Sequence, residues 1–212
     1  VIKLENVKIV EVTDSFKNNI ENLLEEYLTR SSMRLSVEKE KKIETMLRPR
    51  GKDKIWTTLK RLPYQKFYCT GSLESEIFFC GKTDDIVVEM RDKHTYNIGP
   101  YHVCISKSSI LNSQSSPVHL FPDYDPLTTE RHLHHRAFDH DVYGDDKVFH
   151  PLTARDHWCW SSVGPSYLAA VSDLDIVDMF RVLYIFITRL NWDSPLSTRW
   201  QYRAIEHGKL VK

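Results

Sequence analysis

The sequence has no net charge, no membrane-length apolar run and few cysteines, and each lack excludes something. Lysine plus arginine number 29, as do aspartate plus glutamate. A chain without a basic surplus has no broad pull towards nucleic acid or an anionic membrane, although a balanced total can hide a local patch. The apolar run Val182 to Ile187 lies between Arg181 and Thr188, far short of the roughly 18 to 20 residues of a membrane span. The cysteines, at 69, 80, 104 and 159, form no CxxC pair, and they read as reduced thiols. Neither an HExxH motif, nor a repeat, nor a signal-peptide pattern occurs. The expectation is a cytoplasmic protein with no metal or organic cofactor and no nucleic-acid or membrane partner.

What is present is enough for a sizeable core: 212 residues, 41% of them apolar, which suits one domain with an extension. Residues 2 to 12 alternate as a strand does. Asp14 or Ser15 then caps a helix on which Phe16, Ile20, Leu23, Leu24, Tyr27 and Leu28 share a face. A highly charged helix follows from Ser36 and stops before Pro49, its charges reading as a solvated face. Arg48 to Lys52 is basic and carries both Pro49 and Gly51, which marks the best internal boundary. The expected division is a helical extension over 1–50 and a main domain over 51–212.

The main domain opens with a short helix, Lys54 to Arg61. Four strand-like segments follow, Gln65 to Thr70, Glu76 to Cys80, Asp85 to Arg91 and His102 to Ser106, separated by turn-forming residues. They predict an antiparallel meander of about four strands backed by helices, an α+β fold. Near the other end, Ser172 reads as an N-cap with Asp175 as its capping-box acid. Leu174, Val177, Phe180, Tyr184, Ile187 and Leu190 then fall on one face of a long helix that Asn191 to Pro195 stops. Cys159 lies before this helix in a loop or short extended piece, whereas Cys69, Cys80 and Cys104 sit in apolar strand-like runs and read as buried structural thiols.

In order, His150-Pro151-Leu152, Cys159, the helix from Ser172 and Asn191 to Leu196 resemble the ubiquitin-conjugating enzymes. That family runs from His-Pro-Asn through about ten residues to a catalytic cysteine, then a covering helix ending near Pro-Asn and Asp-Pro-Leu. Tyr96 to Ile105 is similar to the family's entry into its third strand, and Pro117 to Phe121 to the Pro-Pro-x-Val-x-Phe segment. The resemblance covers about residues 53 to 200. It implies a UBC-like fold, a prokaryotic branch, and a cysteine that accepts ubiquitin or a ubiquitin-like modifier from an activating enzyme. The modifier then passes to an amine or other acceptor, an acceptor protein or a ligase. Three departures stand out: an insertion at about 122–149, Leu152 in place of the asparagine that supports the oxyanion, and Tyr167 to Val171 where the family has Trp-Ser-Pro.

Cys159, flanked by Trp158 and Trp160, is the expected nucleophile. His157 is the candidate for polarising that thiol or supporting the oxyanion in place of the asparagine. His150 is included as the histidine of the His-Pro turn, where a structural role through its ring nitrogens is favoured. Asp193 and Ser194 either lower the pKa of an attacking lysine or form a polar helix-ending loop. The insertion carries His132, His134, His135 and His140 among Asp139, Asp141, Asp145 and Asp146. Without ligand spacing, it reads as a solvated or partner-facing loop rather than a zinc site. Two rivals accompany the conjugating enzyme: an inactive scaffold of the same fold that binds a modifier or partner, and a metal-dependent hydrolase using these histidines.

Overall fold

The computed structural model describes residues 9–30, 35–71, 76–89, 93–97, 100–112, 118–122, 153–154, 157–158 and 163–189. At 96, 118–122, 153–154 and 157–158 it describes the course of the backbone. The first strand, β1 (Glu11–Val12), leads into α1 (Asp14–Thr29), whose cap is Thr13 and not Asp14 or Ser15. The Thr13 hydroxyl accepts from the Phe16 amide at 3.2 Å, satisfying one of the donors left over at a helix start. Phe16, Ile20, Leu23, Leu24 and Tyr27 are buried, as their spacing predicts.

Helix α2 (Val37–Leu47) starts at Ser36, whose hydroxyl accepts from the Lys39 amide at 3.3 Å. Its charged side is not simply solvated. Lys39 donates to the Tyr27 hydroxyl at 3.1 Å and to the Ser172 carbonyl, and Lys42 donates to the Asp173 carbonyl at 3.2 Å. Helix α3 (Pro49–Leu59) then begins at once, with Arg48 serving both helices as cap. Pro49 therefore opens a helix, where its missing N–H costs nothing. Gly51 is also explained: a Cβ there would meet the Thr45 carbonyl oxygen at 2.0 Å. The basic stretch is a tight helix–helix corner, and the expected helix from Lys54 starts earlier.

The strands are β2 (Tyr64–Thr70), β3 (Phe78–Thr83), β4 (Val87–Glu89), β5 (Thr95–Asn97) and β6 (Tyr101–Ser106); α4 (Lys107–Leu111) and β7 (Val118–Pro122) follow. The main sheet has the order β1-β2-β3-β6-β7. Its last four strands are antiparallel neighbours, while β1 joins β2 in parallel, pairing Glu11 with Lys66 and Val12 with Phe67. The sheet is therefore mixed and the class is α+β. The expected third strand, Asp85 to Arg91, is not in it: β4 pairs with β5 as a separate hairpin, and 118–122 takes the place at the end of the row.

After the two-residue strands β8 (Thr153–Ala154) and β9 (His157–Trp158) come α5 (Gly164–Ser172) and α6 (Ile176–Thr188). The helix expected from Ser172 therefore starts later, at Ile176, and the segment before it, expected as a loop or short extended piece, is helical over Gly164–Ser172. Ser172 ends the first, and Asp175 caps the second, its carboxylate accepting from the Asp178 amide at 2.9 Å. Between them the Asp175 amide returns to Ala170 O at 2.9 Å and the Leu174 amide to Val171 O at 3.1 Å. This is a Schellman ending, with Leu174 at the left-handed position, φ 55°. Glycine suits that backbone better; leucine occupies it because its side chain is wholly buried.

One face of the sheet packs on α1 and α6. Phe16 meets Phe67, Phe79 and Phe180 with ring centroids 5.6, 5.8 and 6.0 Å apart. Gly81 allows the close fit of Tyr64 and Phe180 over β3, since a Cβ would come within 2.8 Å of the Tyr64 ring. Helix α1, expected in an accessory extension, contributes its buried face to this same core. Tyr68, Phe78, Cys80 and Cys104 form a second buried cluster. Among the described residues, no helix is long and apolar enough to cross a membrane.

Candidate functional site

Of the candidate residues, Cys159, His150, Asp193 and Ser194 lie outside the described residues, as do Leu152, the histidines of the insertion and Asn191 to Leu196. His157 lies in β9, opposite Ala154, with Trp158 opposite Thr153. The two residues before Cys159 are therefore extended, and that strand pairs with a short strand just after His150-Pro151. On the other side α5 starts five residues beyond Cys159 and has Pro165 in its first turn, a position proline tolerates. Tyr167, Ala170 and Val171 bury its inner face.

Helix α6 lies against the sheet. The buried Tyr64 hydroxyl donates to the Phe180 carbonyl at 2.8 Å, and the Phe67 and Phe180 rings meet nearly edge to face, 5.1 Å apart. Tyr64 stays a neutral donor because burial, reinforced by Tyr184, holds its pKa well above the usual phenol value. On either side of the Cys159 stretch, β7 belongs to the main sheet, β8 and β9 pair with each other, and α5 and α6 contribute to the core.

The other thiols are poor nucleophiles. Cys80 and Cys104 have no exposed surface, and Cys69 packs partly buried against the main core. Burial is the first cause that pushes the Cys69 and Cys80 thiols upward, and neighbouring Cys104 adds to it. At neutral pH these two remain protonated, whereas nucleophilic chemistry needs the thiolate.

A polar group that the sequence reading missed lies on the second face of the sheet. Tyr68 stands opposite Cys80, which stands opposite Cys104. The Tyr68 hydroxyl lies 2.8 Å from His102 Nδ1, and burial raises its pKa. Strand alternation could have placed Cys104 beside His102 on one face, but only the register brings Tyr68 and Cys80 to them. Among the described residues, no group of three or more His, Cys, Asp or Glu side chains could hold a metal ion. Set against family models, curated proteins and solved structures, the chain matches none.

Proposed function

We propose that this protein is a cytoplasmic conjugating enzyme for ubiquitin or a ubiquitin-like modifier, with Cys159 carrying the modifier as a thioester. The observation that carries the reading is an order of parts: helix α3, the antiparallel row β2-β3-β6-β7 with the β4–β5 hairpin between β3 and β6, the sequence His150-Pro151, Cys159, and helix α6 against the sheet. The match of that order to a UBC-like fold supports the family reading. The full burial of Cys80 and Cys104 and the partial burial of Cys69 support Cys159 as the reacting thiol.

In this reading the Cys159 thiolate attacks the modifier's C-terminal carbonyl on the activating enzyme, whose own cysteine leaves. An acceptor amine then attacks the new thioester, loses its proton and expels the Cys159 thiolate. His157 supports the oxyanion in place of the missing asparagine, His150 holds the turn, and Asp193 and Ser194 help desolvate and deprotonate the acceptor. No metal or organic cofactor takes part. Leu152, which cannot donate a hydrogen bond, is the one observation that favours the second reading, an inactive scaffold that binds a modifier.

The test combines the protein with its cognate activating enzyme, modifier and ATP. The expected product is a reductant-sensitive adduct one modifier heavier, absent in Cys159→Ala and replaced in Cys159→Ser by at most a more stable oxyester. His157→Ala should slow discharge more than loading. Binding of the modifier with no adduct would establish the scaffold instead, and an adduct that survives Cys159→Ala would end the assignment of Cys159.

A further inference from the structure

Cys80 of β3 and Cys104 of β6 are directly opposed across an antiparallel pair. Both are wholly buried, and both belong to the cluster with Tyr68 and Phe78. Opposed residues in such a pair have Cα atoms roughly 4.5 to 5.5 Å apart, inside the roughly 4.4 to 6.8 Å that disulfides span. The backbone spacing is therefore suited to a bond before any movement of the strands. Cys69 is partnered in register with Phe79 and packs against the main core, as Phe79 does, so it sits on the other face of the sheet.

We propose that Cys80 and Cys104 form a redox pair, closing a cross-strand disulfide that clasps β3 to β6 under sustained oxidation. Tyr68 belongs to the same buried cluster as both sulfurs and its hydroxyl lies 2.8 Å from His102 Nδ1, so the pocket around the pair is not wholly apolar.

The reaction balances with an azo or disulfide oxidant. With diamide, one of these normally protonated thiols gives up its proton transiently, and the thiolate so formed adds to a nitrogen of the N=N bond and forms an S–N bond. The second thiol, deprotonated in its turn, attacks that sulfur, the S–N bond breaks, and the hydrazine leaves with both thiol protons. The two sulfurs together lose two electrons and the azo group gains them. With glutathione disulfide the same two electrons and two protons appear as two glutathione thiols.

The bond encloses residues 81–103, including the β4–β5 hairpin, so it restricts the unfolded chain and strengthens the sheet. Because neither sulfur is exposed, the pair answers prolonged oxidation and not a brief alkylating pulse. This device is independent of the chemistry at Cys159.

The test treats the reduced full-length chain with diamide for increasing times under native conditions, blocks free thiols with N-ethylmaleimide, and maps the peptides by mass. The expected product is an intramolecular Cys80–Cys104 link, lighter by two hydrogens and reversed by dithiothreitol, with a raised Tm. Cys80→Ala and Cys104→Ala should each lose it, while Cys69→Ala and Cys159→Ala keep it. The proposal is overturned if the native wild-type chain forms no such link, links Cys69 or Cys159 instead, or melts earlier once linked. The wild-type peptide map decides even if a cysteine variant fails to fold.

Discussion

The Tyr64 hydroxyl donates to the main-chain carbonyl of Phe180, 116 residues away, at 2.8 Å. This bond ties the first residue of β2 to the middle of α6, and it does so beneath rings that already touch: the Tyr64 and Phe180 centroids are 5.7 Å apart. A mid-helix carbonyl also accepts from its own helix, so removing the phenol leaves a partly served acceptor and not an orphan. Tyr64→Phe should therefore cost about 0.5 to 1.5 kcal/mol with little loss of packing. Urea unfolding should show a lower midpoint at unchanged slope; a stability equal to wild type would mean the bond adds nothing.

Removal of the N-terminal helices tests their place in the core. Phe16 is wholly buried and touches rings from both the sheet and α6, so Phe16→Ala should cost about 3 to 5 kcal/mol. Deleting residues 1–50 removes β1, α1, α2 and the first two residues of α3, and should abolish the cooperative thermal transition seen by circular dichroism. Cooperative folding of that truncated chain at near wild-type stability would show the segment to be accessory after all.

At Leu174 two effects oppose each other. Glycine would relieve a left-handed backbone cost of about 1 to 2 kcal/mol, yet it would delete a fully buried side chain, a loss of about 2 to 5 kcal/mol for a leucine truncated to alanine. Packing should win, and Leu174→Gly should be less stable than wild type in thermal melts. A more stable Leu174→Gly would mean that backbone strain dominates the junction of α5 and α6.

Glu26 gives a pH dependence with a definite sign. Lys107 lies 2.6 Å from its carboxylate and Arg30 lies 3.2 Å away. The hydrogen bond from Lys107 is the largest cause of a pKa below the ordinary 4.5, with desolvation opposing it. The folded form binds its proton less readily than the unfolded one. The extra stability is thus present above about pH 4.5 and is lost as pH falls through the lower folded value. The carboxylate is 36% exposed, so solvent screens the pair and the effect at pH 7 should stay below about 1 kcal/mol. Glu26→Gln should unfold at lower urea than wild type at pH 7, with the gap closing in acid; a gap that does not change with pH would rule out the ion pair as its source.

By itself the sequence determined the features whose cause is local. The buried face of α1 follows from the spacing of Phe16, Ile20, Leu23, Leu24 and Tyr27, and the start of α2 from Ser36, because helix period and capping act within a few residues. The α+β class and the strands about 65–70 and 102–106 were legible for the same reason. The candidate residue Cys159 was also named from sequence order alone, and the geometry around it lies outside the described residues. Tertiary structure decided what depends on contacts between distant parts of the chain. It put β1 parallel to β2, set β4 and β5 apart as their own hairpin, and brought 118–122 to the end of the sheet, since pairing and register depend on which faces can be buried together. It also made a helix of 164–172, where a loop was expected, and moved the start of the next helix to Ile176, with a junction at Leu174 where burial of a leucine outweighs a backbone conformation its local sequence disfavours. Lys39 and Lys42 reached the carbonyls of Ser172 and Asp173, and Tyr68 met His102, only because the assembled fold brings together groups whose local patterns carry no record of each other.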